Sequence, residues 1–182
     1  MPILGALVGF FSLSGAFVAM PAQASAPVAP ALPTYSVAMT GYNAVPAQTD
    51  ANPLVTASGA YSNPEVVAAR SQDMAAELPF GTIIEVNGPS SLEKNCGYDV
   101  VGKTIGYRVI ADTMNKKFTD RVDVLFPEAA TRSQNRAVVL GVCEGVTITV
   151  VGHTDLSNPA NLPKTQADLA ALVKNSGDLA LK

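Results

Sequence analysis

Gly106–Phe126, GYRVIADTMNKKFTDRVDVLF, is the stretch on which the fold turns. Two apolar, β-branched runs flank a polar connection, Met114–Asp120, and this pattern predicts two strands forming a hairpin-like unit. Asp112 stands at the end of the first strand, and Asp123 lies inside the second, 11 residues later. A carboxylate amid Val122, Val124 and Leu125 is unusual, because strands disfavour Asp and partial burial penalises its charged form. Burial of that kind raises a carboxyl pKa, which is what a general acid near neutral pH requires. Spacing leaves one alternative open, an exposed-face Asp123 paired with Arg121 or Arg108.

Working outward, short β-branched runs separated by turn residues continue from Tyr35 to Val151. They predict strands at Tyr35–Tyr42, Val66–Ala69, Thr82–Val86, Ile105–Asp112, Arg121–Phe126 and Val146–Val151. Pro127–Val139 has helical composition, with Gly141 as its terminator. Pro79 and Gly81 read as a turn into the strand at Thr82. A mainly β domain of six strands with one or two short helices suits a small closed barrel, which leaves no exposed sheet edge.

The 182-residue chain has room for one domain with flanking segments, and 48% hydrophobic against 15% charged residues excludes a wholly disordered protein. Twelve Lys and Arg against fifteen Asp and Glu give a net charge of -3, which does not fit a nucleic-acid binder. No Lys or Arg precedes Arg70. Ile3–Met20 is uncharged, and Ala22 and Ala24 precede Ser25, so residues 1–24 read as a signal peptide or, failing cleavage, an N-terminal membrane anchor. Residues 25–34 form an Ala/Pro-rich linker, 35–152 the barrel domain, and 153–182 a tail. In the tail, Thr165 as N-cap, Asp168, apolar Leu169, Leu172 and Val173, and Gly177 beyond its end predict a short helix that packs on the domain.

Export places the only two cysteines, Cys96 and Cys143, in an oxidising compartment, where they are expected to pair; two separately buried thiols are the alternative. His153 is the sole histidine, and nothing marks it as the base of a catalytic cysteine or as a metal ligand. Oxygen ligands from the aspartates would suit Ca²⁺ or Mg²⁺, but no contiguous binding loop is present, and neither a metal nor an organic cofactor is expected.

Several segments, taken in order, carry a family likeness. They are Thr40-Gly-Tyr-Asn43, Gln48-Thr-Asp-Ala-Asn-Pro53, Thr56-Ala-Ser-Gly59, Val67-Ala-Ala69, Leu78-Pro-Phe-Gly-Thr82, Ala111-Asp-Thr-Met-Asn115 and Arg121-Val-Asp-Val124. With the Asp112-to-Asp123 interval, they resemble the three-aspartate (3D) domain, a double-psi β-barrel found in membrane-bound lytic transglycosylase A and stationary-phase-survival muralytic proteins. Expansin-like and rare-lipoprotein-A-like proteins share that barrel, with an Asp-Leu-Ser motif before a helix and a final strand. Asp123-Val-Leu followed by Pro127–Val139 fits that order, whereas His153-Thr-Asp-Leu-Ser157 follows the final strand and reads as a decoy.

The resemblance implies that the partner is peptidoglycan; export and the single expected membrane contact follow from the N-terminal segment, and a monomer is expected. Asp123 would be the catalytic acid that protonates the glycosidic oxygen and then assists the sugar's C6 hydroxyl in attacking C1, leaving a 1,6-anhydro end. Asp112 would support the reacting sugar. The third aspartate departs from the usual pattern, with Asp73 the best candidate. Tyr42, Asp50, Thr56, Ser58 and Asn115 are candidate glycan-binding residues; Asp50 also reads as a turn residue, and the hydroxyls as ordinary strand-end groups. With 6% aromatic residues and no Trp, recognition would rest on hydrogen bonds. A non-catalytic glycan-binding or loosening module on the same barrel is the alternative function.

Overall fold

A computed structural model of the protein describes residues 31–91 and 93–180. The leader 1–24 and most of the linker lie outside the described residues. Six strands, β1 Thr34–Asn43, β2 Val67–Arg70, β3 Thr82–Pro89, β4 Arg108–Thr113, β5 Arg121–Phe126 and β6 Cys143–His153, close into a barrel in the order β1-β5-β2-β4-β3-β6. Two neighbouring pairs, β1/β5 and β2/β4, are parallel, and the other four are antiparallel. Three short α-helices, α1 Tyr98–Val101, α2 Arg136–Leu140 and the longer α3 Gln166–Ala180, decorate it. Among the described residues no helix is long and apolar enough to cross a membrane.

The expected hairpin does not form. β2 lies between β4 and β5, parallel to the first and antiparallel to the second, so Met114–Asp120 crosses over β2. That connection has no two-residue turn to force its flanking strands together. β2 is buried at all four positions and satisfies both its edges by entering the gap.

Alternation along the strands divides the apolar residues into two sets. Val122, Val124 and Phe126 of β5 join Val37, Met39, Ala68, Ile84, Ile110, Val146 and Ile148 in the barrel interior. Leu125 instead faces outward with Val67, Ala69, Ile83, Val109 and Ala111, and is covered by Ala60, Met114 and the tail residues Leu156, Leu162 and Leu169. The segment after β6 thus completes a second apolar layer. Its helix α3 opens on a reciprocal cap, with the Asp168 N–H donating to Thr165 Oγ1 (3.2 Å) and the Thr165 N–H to Asp168 Oδ2 (3.0 Å). Gly177 lies inside α3 rather than beyond it; a helical glycine costs only about 1 kcal/mol relative to alanine and does not by itself end a helix.

The helix expected over Pro127–Val139 shrinks to α2. Thr131, Ser133 and Gln134 bond one another through their side chains, and Asn135 Oδ1 accepts the Ala137 N–H at 3.0 Å, so polar side chains compete with helical backbone until that cap. Gly141, at φ 64°, terminates it as expected. Cys96 and Cys143 form a disulfide with Cα atoms 4.7 Å apart, tying the loop before α1 to the start of β6. Gly81, at φ 94°, completes the turn from Pro79 to Thr82, and a Cβ there would collide with the Thr154 carbonyl.

Candidate functional site: an aspartate-floored cleft

Asp123 alternates with Val122 and Val124 and so points outward from the barrel, onto the same face as Leu125. Asp112 reaches that face by a different route. The β2–β4 register pairs Ala68 with Ile110 but Ala69 with Asp112, so Ala111 is an extra residue, a bulge. Without it, Asp112 would follow Ile110 into the interior. Ala69 is the shared neighbour, paired with Asp112 across one edge of β2 and with Asp123 across the other. The two aspartate Cα atoms are therefore about 10 Å apart, twice the strand spacing, with only a methyl group between them.

This floor opens into a cleft of about 380 Å³. One wall is formed by Gln48, Thr49, Asp50, Pro53, Val55 and Ala57, the other by Thr113, Met114, Asn115 and Phe118. The first wall is tied to the barrel by Gln48 Oε1, which accepts the Asn43 N–H at 2.8 Å, and by buried Asn43, whose Nδ2 donates to the Phe126 carbonyl at 3.0 Å.

The two carboxylates differ in environment. Asp112 is held by three donors: the Tyr42 hydroxyl to Oδ2 at 3.0 Å, and the Ala57 and Thr113 N–H groups to Oδ1, both at 2.9 Å. Burial, and then Asp112, push the Tyr42 phenol well above its ordinary pKa, so it remains a donor at neutral pH. Asp123 Oδ1 is buried without a hydrogen-bond partner. Burial pushes the Asp123 carboxyl up to about 6; the Thr40 hydroxyl and Arg121 oppose that rise, and Asp112 adds to it. Neither arginine pairs with Asp123. Buried Arg108 donates to the carbonyls of Pro64 (2.7 Å) and Leu125 (3.3 Å), and Arg121 lies 3.9 Å from Glu144.

Of the residues singled out from sequence, Asp112, Asp123, Tyr42, Asp50 and Asn115 meet at the cleft. Asp73 does not reach it. Its Oδ2 accepts the Asp120 N–H at 2.9 Å, and this bond, with the Ser71 hydroxyl, holds its carboxyl below the usual range while fixing Asp120 at φ 48°. Thr56 and Ser58 turn their hydroxyls to each other (3.0 Å), and Thr56 also bonds the Ala60 carbonyl, so they stabilise a turn behind the wall. The third aspartate on the cleft is Asp50. His153 ends β6 away from the cleft, and Asp155 caps the Ser157 N–H at 2.8 Å. Gln48, Thr49, Thr113, Met114 and Phe118 are among the lining residues not expected from sequence; for Phe118 the signal was an aromatic side chain within the polar run Met114–Asp120.

Fold and site together define a closed, mixed six-stranded barrel carrying an aspartate-floored cleft on its outer face. Comparison with protein-family models finds no family that matches the chain, and comparison with curated proteins finds no matching relative.

Proposed function

We propose that this chain is an exported double-psi β-barrel protein of the three-aspartate type that cleaves the MurNAc–GlcNAc bond of peptidoglycan by lytic transglycosylation. The observation that carries this reading is Asp123: a carboxyl with an unpartnered oxygen, raised to about 6, on the floor of an open cleft beside a fixed second carboxylate. The two parallel strand pairs of the closed barrel are compatible with a double-psi topology, and the disulfide is compatible with export.

In this mechanism protonated Asp123 gives its proton to the glycosidic oxygen as the bond to C1 breaks. The resulting carboxylate takes the proton of the C6 hydroxyl as that oxygen bonds to C1, which restores the acid and consumes no water. One carboxyl serves both steps, unlike hydrolysis, in which a second carboxylate activates water or forms a covalent intermediate. Asp112, with its three bonds, stays in place and stabilises positive charge developing at C1. Because the first step needs the protonated form, turnover falls as pH rises through about 6.

Purified sacculi incubated with the full chain test the proposal. Soluble muropeptides are released by the wild type and not by Asp123→Asn; equal release by both, or none by either, would reject it.

A further inference from the structure

The two walls of the cleft differ in charge. Asp50 lies on the first, whereas the second ends in Asn115 and Phe118, which line the cleft and are flanked in the chain by Lys116, Lys117 and Arg121. Lys117 Nζ lies 4.9 Å from the centre of the Phe118 ring, and Arg121 Cζ lies 5.2 Å from it. Two cations thus gather on one aromatic ring that lines the cleft. Arg121 and Asp123 are two apart in β5 and share the outward face, which puts their Cα atoms about 7 Å apart along the strand. Arg121 is incompletely engaged: among the described residues its one ion pair, with exposed Glu144, is long at 3.9 Å, and its buried Nε has no hydrogen-bond partner.

Resting on the glycan-cleaving reading, we propose that the Lys117–Phe118–Arg121 wall binds a carboxylate carried by the substrate, so that the cleft selects anionic over neutral glycan strands. The ring packs against the sugar or its substituent, while the planar guanidinium and the ammonium meet the carboxylate. Peptidoglycan offers that group from two sources, the lactyl carboxylate of an unsubstituted muramoyl residue and the carboxylates of the stem peptide.

Three substrates separate these sources: intact glycan strands, strands stripped of stem peptides so that lactyl carboxylates remain, and stripped strands whose carboxylates have been converted to amides. Association is measured with full-length Asp123→Asn and turnover with the wild type. The expected result is association about tenfold weaker for the amidated strands, a loss in the range of one charge-assisted contact. Preference for stripped strands identifies the lactyl group, and preference for intact strands identifies the stem. Lys117→Met with Arg121→Met removes the discrimination and raises KM more than it lowers kcat, while Arg121→Lys retains part of it; a thermal melt verifies that each variant is folded. Equal association and turnover on all three substrates would overturn the inference and leave the proposed activity standing. Association with none of them would overturn both.

Discussion

Replacing Asp123 by Asn is expected to stabilise the fold while removing the proposed activity. The gap between about 6 in the folded chain and the ordinary value of 3.8 corresponds to about 3 kcal/mol. Between those values the folded state still holds a proton that the unfolded chain has released. Stability therefore falls as pH rises from about 4 to about 6 and is level above that. Asp73, Asp155 and Asp168 shift the other way, held below the usual range by hydrogen bonds; their stabilisation is complete above the ordinary carboxylate value and is lost only on further acidification. They leave the interval from pH 4.5 to 7 to Asp123. The Asn amide gives up about 1 kcal/mol through its own imperfect pairing, so the net gain at pH 7 is about 2 kcal/mol, or about 4–8 °C in Tm. Thermal melts of the wild type and Asp123→Asn across pH 4.5–7.5 provide the assay: a sloping curve for the wild type, a flat one for the variant. Parallel curves, or a variant less stable than the wild type at pH 7, would refute the reasoning about Asp123.

Two further outcomes follow from the same geometry. Cys96→Ser with Cys143→Ser opens a loop closed across a sequence separation of 47 and lowers stability by about 4 kcal/mol, read from the urea midpoint; an unchanged midpoint would deny the crosslink a stabilising role. Tyr42→Phe removes the donor to Asp112 Oδ2, costs about 1–3 kcal/mol for the carboxylate left short of a partner, and slows glycan release. A Tyr42→Phe chain with wild-type stability and turnover would show that the phenol does not hold Asp112 in place.

The elements were largely legible in sequence because their signals are local. The β-branched run Arg121–Phe126 marks β5 to the residue, and Thr165 with Asp168 marks the start of α3. The pairing of β2 between β4 and β5 was not legible, since alternation defines a strand's faces but not its neighbours. For the same reason Asp112 and Asp123 stood out individually, while the device that brings them onto one face, the bulge at Ala111, is a property of register and leaves no mark on the chain. Asp73 illustrates the converse. Its place before Leu78-Pro-Phe-Gly81 matched a pattern, but the backbone there turns its carboxylate to Asp120, and Asp50, from a loop that reads as a turn, takes the place on the cleft.

The mass of the released fragments addresses the chemistry most directly. Full-length protein acting on purified sacculi should yield muropeptides one water lighter than hydrolysed ones, ending in an anhydro sugar, and Asp123→Asn should yield none. Fragments with free reducing ends, or anhydro products that persist in Asp123→Asn, would contradict a single outward-facing carboxyl acting as both acid and base.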